Sequence, residues 1–103
     1  MENQTDALIR ADIEVKKPND FAVILWNDHI TTMEFVVHVL TKVFYKSPQD
    51  SAKIMMEVHE LGHGVAGVYT YDIAVSKKAK TDAMSAEKGF PLKLTIREME
   101  DET

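Results

Sequence analysis

Residues 55–67 read MMEVHELGHGVAG, and inside them His59, Glu60, Leu61, Gly62 and His63 spell H-E-x-x-H. In zinc hydrolases that spacing sets two imidazoles one helical turn apart, with the glutamate acting as base on a metal-bound water. The chemistry needs a helix that runs unbroken through both histidines. Here Gly62 stands between them, Gly64 follows, and the apolar periodicity stops at Leu61. His63 is therefore expected at or beyond the helix end. The longer pattern H-E-x-x-H-x-x-G-x-x-H fails as well, with Ala66 at its glycine and Tyr69 at its third histidine. A zinc hydrolase built on His59, Glu60 and His63 is thus the lesser alternative. The expectation is a protein that is not an enzyme and carries no metal or cofactor. Taken alone, His59 is a boundary residue beside an apolar stripe.

Bulk properties narrow the classes further. The 103 residues suit one domain, and a 45% hydrophobic fraction is ordinary for a globular chain. Cysteine is absent, which removes disulfides and thiolate chemistry. The first twenty residues hold no apolar signal core and no run is long enough to span a membrane, so a cytoplasmic protein is expected. A net charge of -5 argues against nucleic acid, whose affinity rests on cations that neutralise phosphates. The one basic run, SKKAK at 76–80, fits a solvated helix face.

The elements that would position these residues follow from local pattern. Residues 1–19 are polar and are expected to form a flexible extension, with the folded domain over 20–98 and an acidic tail over 99–103. FAVILW, 21–26, is a short apolar run of strand formers, and NDHI is a loop. Thr31 and Glu34 have the spacing of a capping box, opening a helix with Val36, Val39, Leu40, Val43 and Phe44 on one side. Ser47 and Pro48 start a second helix with Ile54, Met55, Val58 and Leu61 in one stripe, stopped by Gly62. VAGVYTY, 65–71, predicts a strand. Asp72 would cap a third, polar helix over about 73–88, ended by Gly89. After Pro91, Leu92, Leu94 and Ile96 alternate with Lys93, Thr95 and Arg97 as a strand with one inward face. The order β-α-α-β-α-β predicts an α+β sandwich: a small antiparallel sheet with three helices packed on one face.

One block adds more than periodicity. NDHITTMEFVVHVLTKVF, 27–44, resembles the signature of the ClpS family, adaptors that hand substrates to the Clp AAA+ protease. Val58-His59, Gly62, GVYT at 67–70 and Pro91-Leu92 match the family pattern in order and spacing. The likeness covers about residues 20–97. It implies an adaptor for N-degrons, that is, proteins with a free α-amine and a bulky apolar first residue such as Phe, Tyr, Trp or Leu. By this resemblance Asn27 and His59 hold the ammonium, and Asp28 adds charge near the second residue of the peptide. Leu25, Thr31, Met33, Val36, Met55, Val58 and Leu92 would line the pocket for the side chain. Asp72 and Lys77 would dock on the N-terminal domain of a ClpA- or ClpC-like unfoldase, and the arm before residue 20 would engage its pore. His29 departs from the pattern, standing where the family usually has a second aspartate. The rim loses one negative charge, and a protonated His29 would repel the ammonium. Apolar side chains spaced three apart, Met33 with Val36 and Met55 with Val58, also fit plain core.

Overall fold

The structure, a computed structural model, describes residues 20–100. The extension expected over 1–19 and the end of the tail, 101–103, lie outside the described residues. The chain runs β1 (Phe21–Trp26), α1 (Met33–Lys42), α2 (Pro48–Leu61), β2 (His63–Tyr69), α3 (Tyr71–Lys88) and β3 (Lys93–Glu98). The sheet is antiparallel with β1 central, in the order β2-β1-β3. The expected architecture is the observed one.

A central strand has neighbours on both sides, which explains the unbroken apolar run of β1. Val23 and Leu25 are fully buried and belong to the core built with α1, α2 and α3. Ala22, Ile24 and Trp26 pair across the strands with Val68, Val65 and His63 on one side and with Arg97, Thr95 and Lys93 on the other. The Trp26 indole donates to the Thr95 hydroxyl at 2.8 Å. Between Val23 and Ile24 the register with β2 slips, so that Ala66 is the extra, bulged residue, buried in the core.

Helix ends correct the sequence reading in detail. Thr32, not Thr31, is the N-cap of α1, and its hydroxyl accepts from the Phe35 amide at 3.1 Å. Thr31 is occupied elsewhere, as described below. Ser47 and Pro48 begin α2 as expected, with Ser47 Oγ accepting from Asp50 N. Gly62 ends α2 with φ +89°, a left-handed backbone that a residue with a Cβ adopts only with strain. β2 starts two residues earlier than its composition suggests, because pairing with Leu25 and Trp26 extends the ladder through Gly64 and His63. α3 is capped at Thr70 with no side-chain hydrogen bond. Asp72 is therefore not a cap; it lies in the first turn, where its charge meets the positive end of the helix.

Two contacts hold the helices where the site needs them. A Cβ on Gly64 would sit 2.9 Å from Val58 Cγ2, so glycine lets α2 lie close on β2. The polar α3 buries a narrow stripe of small residues, Ala74, Thr81 and Ser85, whose two hydroxyls bond back to Lys77 O and Thr81 O. From α3, the Lys77 ammonium donates to the Val43 carbonyl at 2.6 Å, at the C-cap of α1. It also stands 4.7, 5.2 and 5.8 Å from the ring centres of Tyr45, Tyr69 and Phe44. Tyr45 takes part from a left-handed backbone, φ +54°. Replacing Lys77 with Met keeps the stem and removes the cation. Lys77→Met is expected to lower the unfolding free energy by about 1–3 kcal/mol, the worth of a charged hydrogen bond and its ring contacts. Urea denaturation checks this, and unchanged stability would show the clamp to be decorative.

Candidate functional site

The β1–α1 loop leaves the sheet at Trp26 and must turn at once to start α1. Asp28 makes that turn. Its Oδ1 accepts from the amides of Ile30 at 2.8 Å and Thr31 at 2.6 Å, and its Oδ2 accepts from the Thr31 hydroxyl at 2.7 Å. Partial burial raises the carboxyl pKa, but the bonds from Thr31 and Ile30, with the nearby His29, outweigh it and hold the pKa below the usual value. The loop is tied on its other side by the Asn27 amide, which donates to the Gly62 carbonyl at 2.9 Å. The end of α2 and the start of the loop are thereby joined.

This junction frames a cavity of about 260 Å³ lined by Asn27, Asp28, His29, Thr31, Met33, Val36, Met55, Val58 and His59. The lining divides by chemistry. The loop and His59, in the last turn of α2, bring polar groups. Met33 and Val36 of α1 and Met55 and Val58 of α2 bring apolar surface. Asn27 and His59 are solvent-exposed, whereas Val36 and Val58 are buried. Such a site can hold a small apolar group on one side and a polar or cationic group on the other. Asp28 contributes its charge, but its oxygens already serve the loop.

The structure thus brings together nine of the residues singled out in the sequence. It leaves out two. Leu25 and Leu92, expected as pocket walls, belong to the closed core and do not line the cavity. Strand alternation places Leu25 on the inner face with Val23, where core side chains cover it completely. Leu92 precedes β3 and is 6% exposed within the same cluster. Asp72 is exposed on α3, and the Lys77 ammonium is engaged inside the fold. The parts that the sequence reading missed are the Asp28–Thr31 lock and the carbonyl of Gly62. The Asp-x-x-Thr spacing was a visible signal for the lock; the carbonyl has none.

The H-E-x-x-H spelling is not realised as a helical pair. His59 is helical, but α2 ends at Leu61, Gly62 turns left-handed, and His63 opens β2. The His63 ring lies 5.3 Å from the Trp26 ring. Among the described residues no three His, Cys, Asp or Glu side chains are grouped to hold a metal ion. No described helix is long and apolar enough to cross a membrane.

A half-polar hollow on a small helix–sheet sandwich defines a binding module, and comparison with known proteins gives its family. The family profile described as ATP-dependent Clp protease adaptor protein ClpS matches residues 16–95. The chain is 49% identical over 92 residues to the ATP-dependent Clp protease adapter protein ClpS of Acetivibrio thermocellus, covering 89% of this chain and 93% of that one. It is 41% identical over 107 residues to the protein of the same name from Syntrophus aciditrophicus, covering 96% of this chain and 100% of the relative. A solved structure, Agrobacterium tumefaciens ClpS2 bound to L-phenylalaninamide, superposes with a TM-score of 0.77 at 36% identity, covering 81% of this chain and 100% of that one. The chain belongs to the ClpS family: it is a non-catalytic adaptor of the Clp protease.

The loop lock makes a pH-dependent prediction. The folded pKa of Asp28 is depressed, so its stabilisation is complete above the unfolded carboxylate pKa and fades as pH falls through the folded value. Asp28→Ala is expected to cost about 1–3 kcal/mol near neutral pH. In urea titrations the gap between variant and parent should close below the carboxylate range; a gap that persists in acid would mean that the charge is not what closes the loop.

Proposed function

We propose that the cavity reads protein N-termini: it holds a free α-ammonium at Asn27 and His59 and takes a bulky apolar first side chain between Met33, Val36, Met55 and Val58. The observation that carries the proposal is the junction of polar rim and apolar floor in one hollow of about 260 Å³. The ligand named for the Agrobacterium relative, L-phenylalaninamide, has the same two features, a free amine and an apolar aromatic side chain. The ammonium is a three-donor cation and needs acceptors. The Asn27 amide oxygen and a neutral His59 ring nitrogen supply them, and Asp28 adds a negative field without leaving its loop bonds.

Magnitudes assign the work. Burying a Phe or Leu side chain contributes roughly 1.5–3 kcal/mol. Each hydrogen bond to the charged amine contributes about as much, roughly 1.5–3 kcal/mol. After the entropy of association, the surplus points to low-micromolar binding, about -8 kcal/mol. The apolar floor adapts to several shapes, because unbranched thioethers repack around Phe, Tyr, Trp or Leu and favour aromatic rings. Such N-degron proteins would pass to a ClpA- or ClpC-like unfoldase. Exposed Asp72 would lead the docking on its N-terminal domain, with Lys77 beside it on α3, and the segment before residue 20 would engage the pore.

Fluorescence anisotropy with labelled peptides tests the site. A Phe-initiated peptide is expected to saturate it, while Gly-initiated and N-acetylated Phe peptides do not bind measurably. Equal affinity for the acetylated peptide would defeat the proposal. Asn27→Ala and His59→Ala should each weaken the Phe peptide by roughly tenfold or more, from the loss of a charged hydrogen bond. His29 tunes the rim. His29→Asp is expected to tighten binding of peptides with a basic second residue, measured in the same assay; identical curves would remove His29 from the site.

A further inference from the structure

We propose that Met33 and Met55 make the cavity an oxidative modification site, at which peroxide-class oxidants switch off the recognition of bulky apolar N-terminal residues; the idea rests on the reading of the cavity given above. The chain has six methionines and no cysteine, so thioethers are the sulfur it offers to a two-electron oxidant. Two of them meet in the cavity. Met33, the first residue of α1, is 41% exposed, and Met55 on α2 is partly buried against the core. Both are thus within reach of a small oxidant through the same mouth that admits a ligand. Leucine would fill the same walls at similar volume without this chemistry.

The step balances simply. A sulfur lone pair attacks one oxygen of hydrogen peroxide and the O–O bond breaks. An S–O bond forms, and the displaced hydroxide takes up the released proton as water. Sulfur loses the two electrons that reduce the peroxide. A thiol-dependent methionine sulfoxide reductase reverses it, the oxygen leaving as water and the thiols becoming a disulfide.

The product works against binding in two ways. The sulfoxide oxygen is a strong acceptor set among Val36 and Val58, which have no side-chain donor, so an incoming apolar side chain would strip it of water. The Thr31 hydroxyl is already committed to Asp28. Any side-chain donor that the oxygen captures in the cavity comes from Asn27 or a histidine of the rim, and that bond would turn the side chain away from the amine. Burying one unpaired polar group corresponds to roughly ten- to hundredfold weaker binding. The protein also carries its own controls. Met56 and Met99 are 40% and 45% exposed, as open as Met33, but they do not line the cavity.

The test titrates the full chain with a fluorescent Phe-initiated peptide before and after graded hydrogen peroxide, with peptide mass spectrometry to locate each added oxygen. The expected result is a loss of affinity of roughly ten- to hundredfold that tracks oxygen at Met33 and Met55 and is restored by sulfoxide reductase with thiol. Whatever affinity Met33→Leu/Met55→Leu starts from, it should keep that affinity in peroxide, because it offers no cavity thioether to oxidise. Unchanged affinity with both cavity methionines converted overturns the proposal, as does a loss that follows Met56 or Met99 instead. Folded, untreated protein that ignores the Phe peptide would overturn the functional reading itself, which separates the two failures.

Discussion

The backbone bond from the Asn27 amide to the Gly62 carbonyl, 2.9 Å long, is the constraint on which the rest of the site depends. It joins the exit of the central strand to the end of α2, elements that are far apart in sequence. Gly62 makes the bond possible because its left-handed backbone, φ +89°, ends the helix and turns its carbonyl toward the loop. The same turn sends His63 into β2 and against Trp26, while His59 stays one helical turn back, beside the cavity. One residue thus undoes a metal-binding spacing and builds the junction that frames the cavity.

The cavity walls are held from both ends. At the mouth, three hydrogen bonds to the Asp28 carboxylate fix the loop that leads into α1. At the far end of α1, Lys77 of α3 binds the Val43 carbonyl under three aromatic rings. On the other wall, Gly64 allows α2 to lie close to β2 with Val58 almost touching the backbone. The proposed reading of a side chain by shape depends on such support, because an ångström of slack in either helix would blur both rim and floor. Methionine then supplies local adaptability on a rigid frame, and with it exposure to oxidation.

Much of this was legible in the sequence. Apolar periodicity, the Ser47-Pro48 start and the glycines at 62 and 89 located the helices, and the FAVILW run announced the strand that proves central in the sheet. The first-turn details were not. Thr31 and Thr32 are the same residue type side by side, and only the pull of Asp28 on Thr31 leaves Thr32 to cap the helix. His63 and Gly64 are poor strand formers taken into β2 by pairing with β1, a tertiary effect that local propensity does not record. Leu25 and Leu92 had the right type for a pocket wall, but burial depends on which neighbours close over a residue, and the linear pattern does not carry that. Lys77 looked like a surface charge because the carbonyl it caps lies 34 residues away.

The chain is a ClpS-family adaptor of the Clp protease, and the proposed site of recognition is the hollow where polar and apolar linings meet. Nuclear magnetic resonance of the full, isotope-labelled chain titrated with L-phenylalaninamide examines that meeting directly. The account predicts that the Asn27 side-chain amide, the His59 ring and the methyl groups of Met33 and Met55 shift together along one saturating curve, with N-acetylphenylalaninamide leaving them still. Shifts confined to residues outside the cavity, or an equal response to the acetylated compound, would contradict it.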